Sequence, residues 1–451
     1  MNNKTDKTMK IVIAGAGEVG THLAKMLSNE EQDIIIMDVE SRKLEPLENY
    51  NLLTHQGSAI SFNDLNAIKA GQCDLFIAVT KSEARNILAC SMAKKLGARK
   101  TVARVDNDEF FNPKWRAHMT TLGIDHLIYP EMLAAKEIAS ALKRTWARNW
   151  FELFDGELIV VGVKIRSNAR IVNQMLKDVS NISHFLHVSA IKRNREIIIP
   201  RGDDRVLEND IVYIATTRDH IDEVRDVCGK VQTPVDNVLI VGGNDIAEQL
   251  IKRLGKTVDI KIIEEDLERC DELAQRYPNC KLVQGDLRDT ELSEEESVSY
   301  YDAFIALGDN SAVNMMSCMI AKTNGVPKTI AQVEDIQFIN EAESLNIGSI
   351  VNKKLLASSR IYQILIDADE DNARCLALAD AEVAEVIVEE GDRVTRSDVK
   401  DLKLSRDFTI AGLVRDGKGQ LVNGNTRIQA GDHVVVFCLQ GAIHKLDKYF
   451  S

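Results

Sequence analysis

Short apolar runs alternate with segments of helical spacing over the first 130 residues of the chain. Ile34–Met37 is a continuous apolar run, which is expected for a strand buried on both faces of a parallel sheet. Val19, Leu23 and Leu27 recur at the spacing of one helix face. Strands are predicted at Lys10–Ala14, Ile34–Met37, Leu52–His55, Leu75–Val79, Thr101–Val105 and His126–Ile128, and the clearest helix at Ser82–Leu96, closed by Gly97. The alternation predicts a doubly wound, Rossmann-like α/β domain.

The pattern changes after residue 130. A helical stretch, Glu131–Trp146, precedes short strands predicted at Glu157–Ile165, Glu196–Ile199 and Asp210–Ala215. Short strands between polar turns predict a small β-rich α+β domain here.

The whole pattern then repeats. The phrase FIAVTKSEARN at Phe76–Asn86 matches FIALGDNSAVN at Phe304–Asn314, 228 positions later. The segment Gly202–Asp210 of the β-rich region matches Gly424–Asp432, 222 positions later. The chain is therefore predicted to be a tandem duplication of a two-domain unit. The expected domains are a first Rossmann domain at 1–130, a crossover helix or linker at 131–150, a β-rich domain at 151–232, a second Rossmann-like domain at 233–352, a helix or linker at 353–372 and a second β-rich domain at 373–451.

A glycine-rich loop follows the first strand and opens the first helix. Gly15 permits a tight turn, Gly17 allows the backbone to approach a pyrophosphate, and Gly20 lets the helix pack closely on the strand. Asp38 ends the second strand, where an acid accepts hydrogen bonds from ribose hydroxyls and repels a 2′-phosphate, which favours NAD over NADP. The predicted pyrophosphate-binding residues are Gly15, Ala16, Gly17, Glu18 and Val19. The alternative is a Rossmann domain whose loop is only a tight turn.

Polar side chains also stand at the ends of the fourth and fifth strands. Thr80 and Lys81 end the fourth strand, and Arg104 ends the fifth. The carboxyl ends of such strands line the ligand crevice. Thr80 is therefore expected to bond ribose or phosphate and Arg104 to neutralise phosphate. Taken alone, each is better explained as a strand-end residue or a surface charge, and the glycine loop reverses that preference.

The second copy of the glycine loop is altered. It keeps Gly242, and Glu264 replaces the acid of the first copy. Asn244 stands where the second glycine is needed and crowds the pyrophosphate position, while Gly308 and Gln332 replace the threonine and the arginine. Gly242 and Glu264 remain candidate ligands of a second, weaker site, but a structural, dimer-forming or differently tuned domain is favoured.

Composition and charge narrow the function classes. The formal net charge of −13 and the absence of a long basic block argue against nucleic-acid binding. No apolar run approaches the roughly 20 residues that span a bilayer, and the first residues lack the apolar core of a signal peptide, so a cytoplasmic protein is expected. The eight cysteines form no CxxC pair, which indicates reduced, buried thiols rather than a metal or dithiol site.

Three weaker features are interpreted as structural. His184 and His187 form an HxxH without a third ligand and are expected on a surface helix or turn. Trp146 and Trp150 are expected to continue the helical pattern and pack at a domain junction. The acidic segments Asp289–Glu296 and Asp367–Asp371 could bind a cation, and a solvated face or linker is favoured.

In combination, these motifs resemble the TrkA family, the cytoplasmic regulatory subunits of Trk potassium uptake systems. The resemblance covers nearly the whole chain and is carried by Ile11–Gly20, Asp38, Phe76–Asn86, Val102–Val105, Asp125–Glu131, Gly202–Asp210 and Gly424–Asp432. It implies two RCK_N-type Rossmann domains, each followed by an RCK_C-type β-rich domain. The second half departs from the family pattern, because Ile350–Lys353 replaces the DHLIYPE-like segment of the first copy.

The resemblance also implies a function. It implies NAD(H) binding by the glycine loop, Asp38, the Thr80–Lys81 pair and Arg104, with ATP or ADP sensing in addition. It implies a non-enzymatic, tetrameric ring attached to the inner face of the cell membrane through a potassium-translocating subunit of the TrkH or TrkG type. It further favours the helix at Glu131–Trp146 as a crossover onto a neighbouring Rossmann domain, rather than packing on its own sheet. The alternative function is an NAD-dependent dehydrogenase with duplicated Rossmann domains.

Overall fold

The computed structural model describes residues 8–450 apart from residues 29–31, 180, 195, 256, 287–296, 336–337, 340–341, 343–344, 346, 367–372, 379–380, 440–441 and 447. The chain divides into two compact units. The first contains Met1–Leu133 and Lys353–Glu370, and the second contains Ala134–Asn352 and Asp371–Ser451.

A six-stranded parallel sheet forms the centre of the first unit. Its strands are β1 (Lys10–Ala14), β2 (Asp33–Asp38), β3 (Leu53–Gln56), β4 (Leu75–Ala78), β5 (Lys100–Arg104) and β6 (His126–Ile128). The order is β3-β2-β1-β4-β5-β6, so the chain reverses direction across the sheet between β1 and β4. The helices are α1 (Glu18–Leu27), α2 (Ser41–Leu44), α3 (Phe62–Ala67), α4 (Glu83–Leu96), α5 (Pro113–Thr121) and the start of α6 (Pro130–Lys143). The doubly wound Rossmann-like prediction is confirmed.

Local sequence explains these elements. Ile11, Val12 and Ile13 of β1 are fully buried, as expected for β-branched residues covered by helices on both faces of a parallel sheet. Helix α4 begins after Ser82, whose hydroxyl accepts a hydrogen bond from the backbone N–H of Arg85. It ends at Gly97, which adopts the left-handed conformation at φ +119°.

The second unit begins with a β-rich domain. Its antiparallel sheet contains β7 (Asn149–Leu153), β8 (Leu158–Lys164), β9 (His187–Arg193), β10 (Glu196–Ile198) and β11 (Ile211–Thr216), in the order β10-β9-β11-β8-β7. Two short helices, α7 (Leu176–Val179) and α8 (Ile221–Val227), complete it. Strands β7 and β9 were not predicted from the sequence.

A second Rossmann-like sheet follows. Its strands are β12 (Asn237–Val241), β13 (Asp259–Glu264), β14 (Lys281–Gln284), β15 (Ala303–Ala306), β16 (Lys328–Gln332) and β17 (Ser349–Val351). The order β14-β13-β12-β15-β16-β17 is the order of the first sheet. Described helices of this domain are α9 (Asp245–Leu254), α10 (Leu267–Arg276) and α11 (Ser311–Thr323).

The second β-rich domain closes the repeat. It contains β18 (Ala373–Leu378), β19 (Ala381–Ile387), β20 (Phe408–Arg415), β21 (Lys418–Leu421) and β22 (His433–Leu439), in the order β18-β19-β22-β20-β21. The two β-rich domains share an ion pair of the same form. Arg193 donates to Asp210 at 2.8 Å, and Arg415 donates to Asp432 at 2.7 Å. Tandem duplication is therefore visible in topology and in side-chain contacts.

Some local expectations are wrong. Trp150 lies in β7 and not on a helix. Its ring packs edge-on against that of Trp146, with 6.3 Å between the ring centroids, in the core of the first β-rich domain. His187 begins β9 and is not part of a surface helix or turn. The acidic segments at 289–296 and 367–371 lie outside the described residues.

The helices after the two Rossmann sheets are distributed across the units. From Ala134 onwards α6 belongs to the second unit, although its sheet is in the first. The last helix, α12 (Lys353–Ile366), follows β17 and belongs to the first unit. There Lys354 Nζ lies 3.1 Å from the Glu18 carboxylate of α1. The crossover of the helix at Glu131–Trp146 onto a neighbouring Rossmann domain stays a prediction. Separately, all described helices are too short or too polar to cross a membrane.

Candidate functional site

The glycine loop Gly15–Gly20 joins β1 to α1. Its three glycines differ in whether the fold itself requires a glycine at that position. Gly15 has φ +112°, and a Cβ atom there would lie 2.9 Å from the backbone nitrogen of Thr80. A Cβ on Gly20 would lie 1.9 Å from the carbonyl oxygen of Gly15. The fold itself therefore requires these two glycines. Gly17 has φ −78°, and no atom lies within 4 Å of the position of its Cβ. Packing does not require Gly17, whose small size leaves space in front of the loop.

The N-terminus of α1 faces that space. Gly17 is the N-cap and provides no side chain to accept hydrogen bonds from the first turn. Unpaired N–H groups and the helix dipole make such an end attractive to a phosphate. Glu18, the first helical residue, is exposed, whereas Val19 is buried.

Asp38 connects the end of β2 to this loop. One carboxylate oxygen accepts a hydrogen bond from the backbone N–H of Ala16 at 2.8 Å. The other accepts from the N–H of Glu40 at 3.0 Å. The side chain is 10% exposed. Each carboxylate oxygen has a second lone pair, so the carboxylate can hold the loop and still accept ribose hydroxyls.

Asn86 fixes the ends of β4 and β5 beside the loop. It is fully buried, and its amide donates to the carbonyl oxygens of Thr80 at 3.0 Å and Arg104 at 2.9 Å. Its oxygen accepts from the backbone N–H and the hydroxyl of Thr80. Thr80 and Arg104 are therefore brought together, while Lys81 is exposed. Asn86 was not singled out from the sequence. Its signal is the asparagine that ends the repeated segment in both copies, at Asn86 and Asn314.

A charged cluster lies next to Arg104. Glu131, in the first turn of α6, is 3.6 Å from the Arg104 guanidinium and 3.2 Å from the ammonium of Lys353 in α12. His22 of α1 lies close to Lys354, and burial together with the charges of Lys25 and Lys354 lowers its pKa. Glu131 and Lys353 were not assigned to the site from sequence. Both lie in the segment that follows the last strand of each Rossmann sheet, and the sequence shows that this segment differs between the two copies.

In the second copy, a side chain of the loop itself caps the N-terminus of the following helix. Asn244 is the N-cap of α9, and its oxygen accepts from the N–H groups of Ile246 and Ala247 at 3.0 and 3.2 Å. Its amide donates to the Leu307 carbonyl at 2.7 Å and lies 3.3 Å from Gln332 Oε1. Backbone N–H groups that have no side-chain cap in the first copy are thus bonded to a side chain in the second.

The rest of that loop keeps the framework of the first. Gly242 has φ +98°, and Glu264 accepts from the backbone N–H of Gly243 at 2.5 Å, as Asp38 does from Ala16. Asn314 donates to the carbonyl oxygens of Gly308 and Gln332. Both predicted residues, Gly242 and Glu264, therefore hold the loop in shape.

The cysteines and histidines form no second site in the part of the chain that is described. Seven cysteines are free thiols, and burial raises the pKa of Cys318 to about 12. Among the described residues no group of three or more His, Cys, Asp or Glu is arranged to hold a metal ion.

Two protein-family models each match the chain twice, once in each copy of the repeat. The family model of the TrkA-N domain matches residues 11–130 and 238–353, and that of the TrkA-C domain matches residues 160–229 and 383–451. The Trk system potassium uptake protein TrkA of Haemophilus influenzae is 30% identical over 95% of each chain. The Trk system potassium uptake protein TrkA homolog 1 of Methanosarcina mazei is 26% identical over 98% of this chain and 100% of the relative.

Solved structures show the same fold. The crystal structure of the GsuK RCK domain matches with a TM-score of 0.60 at 12% identity, covering 100% of this chain and 96% of that one. The GsuK channel bound to NAD matches with a TM-score of 0.60 at 12% identity, covering 100% and 80%. The two TrkA-N matches, the two TrkA-C matches and the near full-length relatives agree on the same domain order, and the chain belongs to the TrkA family.

Proposed function

We propose that the chain is a nucleotide-sensing regulatory subunit of a membrane potassium transporter, and that its first Rossmann domain binds NAD(H) and also ATP or ADP. The observation that carries the proposal is the contrast between the two loops. The N-terminus of α1 has no side-chain cap, whereas that of α9 is capped by Asn244. A phosphate would find free donors in the first domain and occupied donors in the second.

Each residue of the first loop has a role in this proposal. The backbone of Gly15, Ala16, Gly17, Glu18 and Val19 surrounds the pyrophosphate. Asp38 accepts hydrogen bonds from the adenosine ribose and disfavours a 2′-phosphate. Thr80 and Arg104 lie at the strand ends where phosphate or the second ribose would lie, and Lys81 contributes positive charge at the rim. In the second domain Gly242 and Glu264 keep the framework, and we propose that this domain binds nucleotide weakly or serves a structural role.

The regulatory part of the proposal rests on the relatives. The curated relatives are named as Trk system potassium uptake proteins, and a structure of the same fold is described as a channel bound to NAD. We propose a partner of the TrkH or TrkG type, contacted at the cytoplasmic face of the membrane. Repeated Rossmann surfaces favour closed symmetric assemblies, so a tetrameric ring is proposed. Four chains of 50.3 kDa would give about 200 kDa in light scattering.

Calorimetry on the full chain with NADH, ATP and ADP tests the binding site. One binding event per chain is expected in the wild type. Potassium flux through a TrkH-type transporter in liposomes, measured with the chain and each nucleotide, tests the regulation. A nucleotide-dependent change in flux supports the proposal, and unchanged flux with demonstrated nucleotide binding contradicts the regulatory part.

A dehydrogenase is the second candidate, because a Rossmann domain with Asp38 at the end of β2 is also how such enzymes hold NAD. A dehydrogenase needs an acid–base residue positioned beside the nicotinamide. Incubation with NADH and a panel of 2-oxoacids separates the two functions, since steady cofactor turnover would establish the enzyme.

A further inference from the structure

Helix α12 brings two lysines from the far end of the second Rossmann domain to the first. Lys354 Nζ lies 3.1 Å from Glu18, which is 73% exposed at the start of α1. Lys353 Nζ lies 3.2 Å from Glu131 Oε1. In the repeat, Lys354 stands at the position that Glu131 occupies in the first copy, and Lys353 stands at that of Pro130, so two lysines begin α12 where a proline and a glutamate begin α6.

The cluster of Glu131, Arg104 and Lys353 has one carboxylate for two cations. The Arg104 guanidinium lies 3.6 Å from Glu131, which is beyond good hydrogen-bond distance. Arg104 Nε and Glu131 Oε2 are buried, and neither has a hydrogen-bond partner among the described residues. Glu131 is only 10% exposed. Buried charges are normally paired and hydrogen-bonded, so this cluster carries an unused positive charge and an unused donor.

The backbone of Arg104 is fixed at the end of β5 on the ligand side of the sheet. The carbonyl of Arg104 is bonded to Asn86, which also holds Thr80, and Thr80 lies against Gly15 of the glycine loop. The backbone of Arg104 is therefore held near the glycine loop, at the strand end where the proposed function puts a phosphate. Under that proposed function, Arg104 pairs with the phosphate in place of the Glu131 carboxylate when nucleotide binds.

We propose that Lys353 is a positioning residue of the nucleotide site in the first Rossmann domain, and this rests on the function proposed above. Lys353 remains as the counter-ion of Glu131 when Arg104 pairs with the phosphate of a dinucleotide or a nucleoside di- or triphosphate. Without it, Glu131 would be left as a buried, unpaired carboxylate, or would retain Arg104. The helix after the second Rossmann domain thereby takes part in binding at the first.

Titration calorimetry of the full chain with NADH and ATP tests this role in three variants. Lys353→Met should weaken binding by roughly tenfold, because Glu131 then competes with phosphate for Arg104. The double variant Lys353→Met with Glu131→Gln should recover the wild-type affinity, since no carboxylate remains to be neutralised. Lys95→Met is the matched control, because Lys95 is exposed near the C-terminal end of α4.

The outcomes separate this inference from the proposed function. Wild-type protein that binds none of the nucleotides contradicts the proposed site itself. Wild-type binding with an unchanged Lys353→Met affinity overturns the role of Lys353. A loss that the Glu131→Gln change does not recover also overturns it, because Lys353 would then contact the phosphate directly. Thermal unfolding of each variant confirms that the affinities are measured on folded protein.

Discussion

Asn244 occupies in the second Rossmann domain the position of Gly17 in the first, and its side-chain oxygen accepts two backbone hydrogen bonds at the start of α9. A single residue thus determines whether the helix N-terminus is available to an external anion. The remaining framework is shared, because Asp38 and Glu264 hold the two loops in the same way. The two copies differ in chemistry at the loop far more than in fold.

Gly17→Val should abolish most nucleotide binding and leave the fold intact. No atom lies within 4 Å of the Gly17 Cβ position, so the valine side chain would project into the space in front of the loop. We expect at least a tenfold loss of NADH affinity by calorimetry, and a loss of less than about 1 kcal/mol in the free energy of unfolding. Gly20→Val is the contrasting variant and should unfold the domain, because its Cβ would lie 1.9 Å from the Gly15 carbonyl oxygen. Undiminished affinity in folded Gly17→Val would reject the loop as the site.

Asp38→Asn should reduce the preference for NADH over NADPH. The wild-type carboxylate repels a 2′-phosphate, which corresponds to about 1 kcal/mol or more in a partly dry site. Asparagine keeps an oxygen that can accept from Ala16, so the loop should stay in place. The ratio of the two affinities is measured in parallel titrations and should narrow by roughly tenfold. Equal affinities already present in the wild type would show that Asp38 does not select the cofactor.

Asn86→Ala should weaken both the fold and the site. The change leaves the carbonyl oxygens of Thr80 and Arg104 without their donor in a buried position, which costs about 2–3 kcal/mol in the free energy of unfolding. Asn314→Ala is the matched variant in the second copy and should cost a similar amount. Only Asn86→Ala should lower nucleotide affinity in calorimetry at a temperature where both variants are folded. Equal effects of the two variants on affinity would contradict the assignment of the site to the first domain.

Asn244→Gly combined with Gln332→Arg should create a second binding event. Glycine removes the cap from α9, and arginine restores the cation that stands at position 104 in the first copy. The stability cost is about 1 kcal/mol, because the hydrogen bond to Leu307 is also lost. Calorimetric stoichiometry should rise from one nucleotide per chain towards two. A stoichiometry that stays at one would show that Asn244 and Gln332 are not what closes the second loop.

The buried Lys328 should make the protein more stable as pH rises from about 7 to 10. Burial, reinforced by the charges of Arg148 and Lys322, lowers the pKa of Lys328 to about 7. Its amine lies 3.1 Å from the Ala147 carbonyl oxygen and 3.0 Å from the Ser349 hydroxyl. Between pH 7 and the ordinary lysine pKa the unfolded chain binds more protons, so the free energy of unfolding increases with pH.

Denaturant unfolding at several pH values measures this slope. Lys328→Met should reduce this slope, because one group that gains a proton on unfolding is gone, while Lys322, whose pKa burial lowers to about 8, keeps part of it. Lys100→Met is the matched variant at the equivalent position of the first copy, where the lysine is only half-buried. Identical slopes for the wild type and Lys328→Met would contradict the assignment.

The local pattern of apolar residues was sufficient to predict the strands of the first sheet. Ile34–Met37 is apolar throughout because both faces of β2 are covered, and Gly97 ends α4 by its left-handed conformation. Local pattern failed at β7, where Trp150 lies at an interval from Trp146 that also fits a helix turn. The pairing of β7 with β8 is a non-local contact, and a short window does not contain it.

In the candidate site, too, the residues that local sequence defines were predicted, and those that distant packing brings together were not. Gly15, Gly17 and Asp38 follow from the spacing of a known loop, because their roles depend on backbone geometry next to them in sequence. Glu131 and Lys353 could not be paired, since their contact depends on which sheet α12 packs against. That choice is made by packing between distant segments and leaves no local signature.

The exchange of α12 into the first unit has a consequence for biogenesis. When the ribosome has completed Leu133, the docking surface for α12 on the first Rossmann domain is still without its helix, and Lys353 is 220 residues further along the chain. At a translation rate of about 5–20 residues per second, that surface stays uncovered for roughly 10–40 s. During this interval the nascent domain is a natural client for a chaperone, and a message truncated before residue 353 would release a protein that can never complete its first domain.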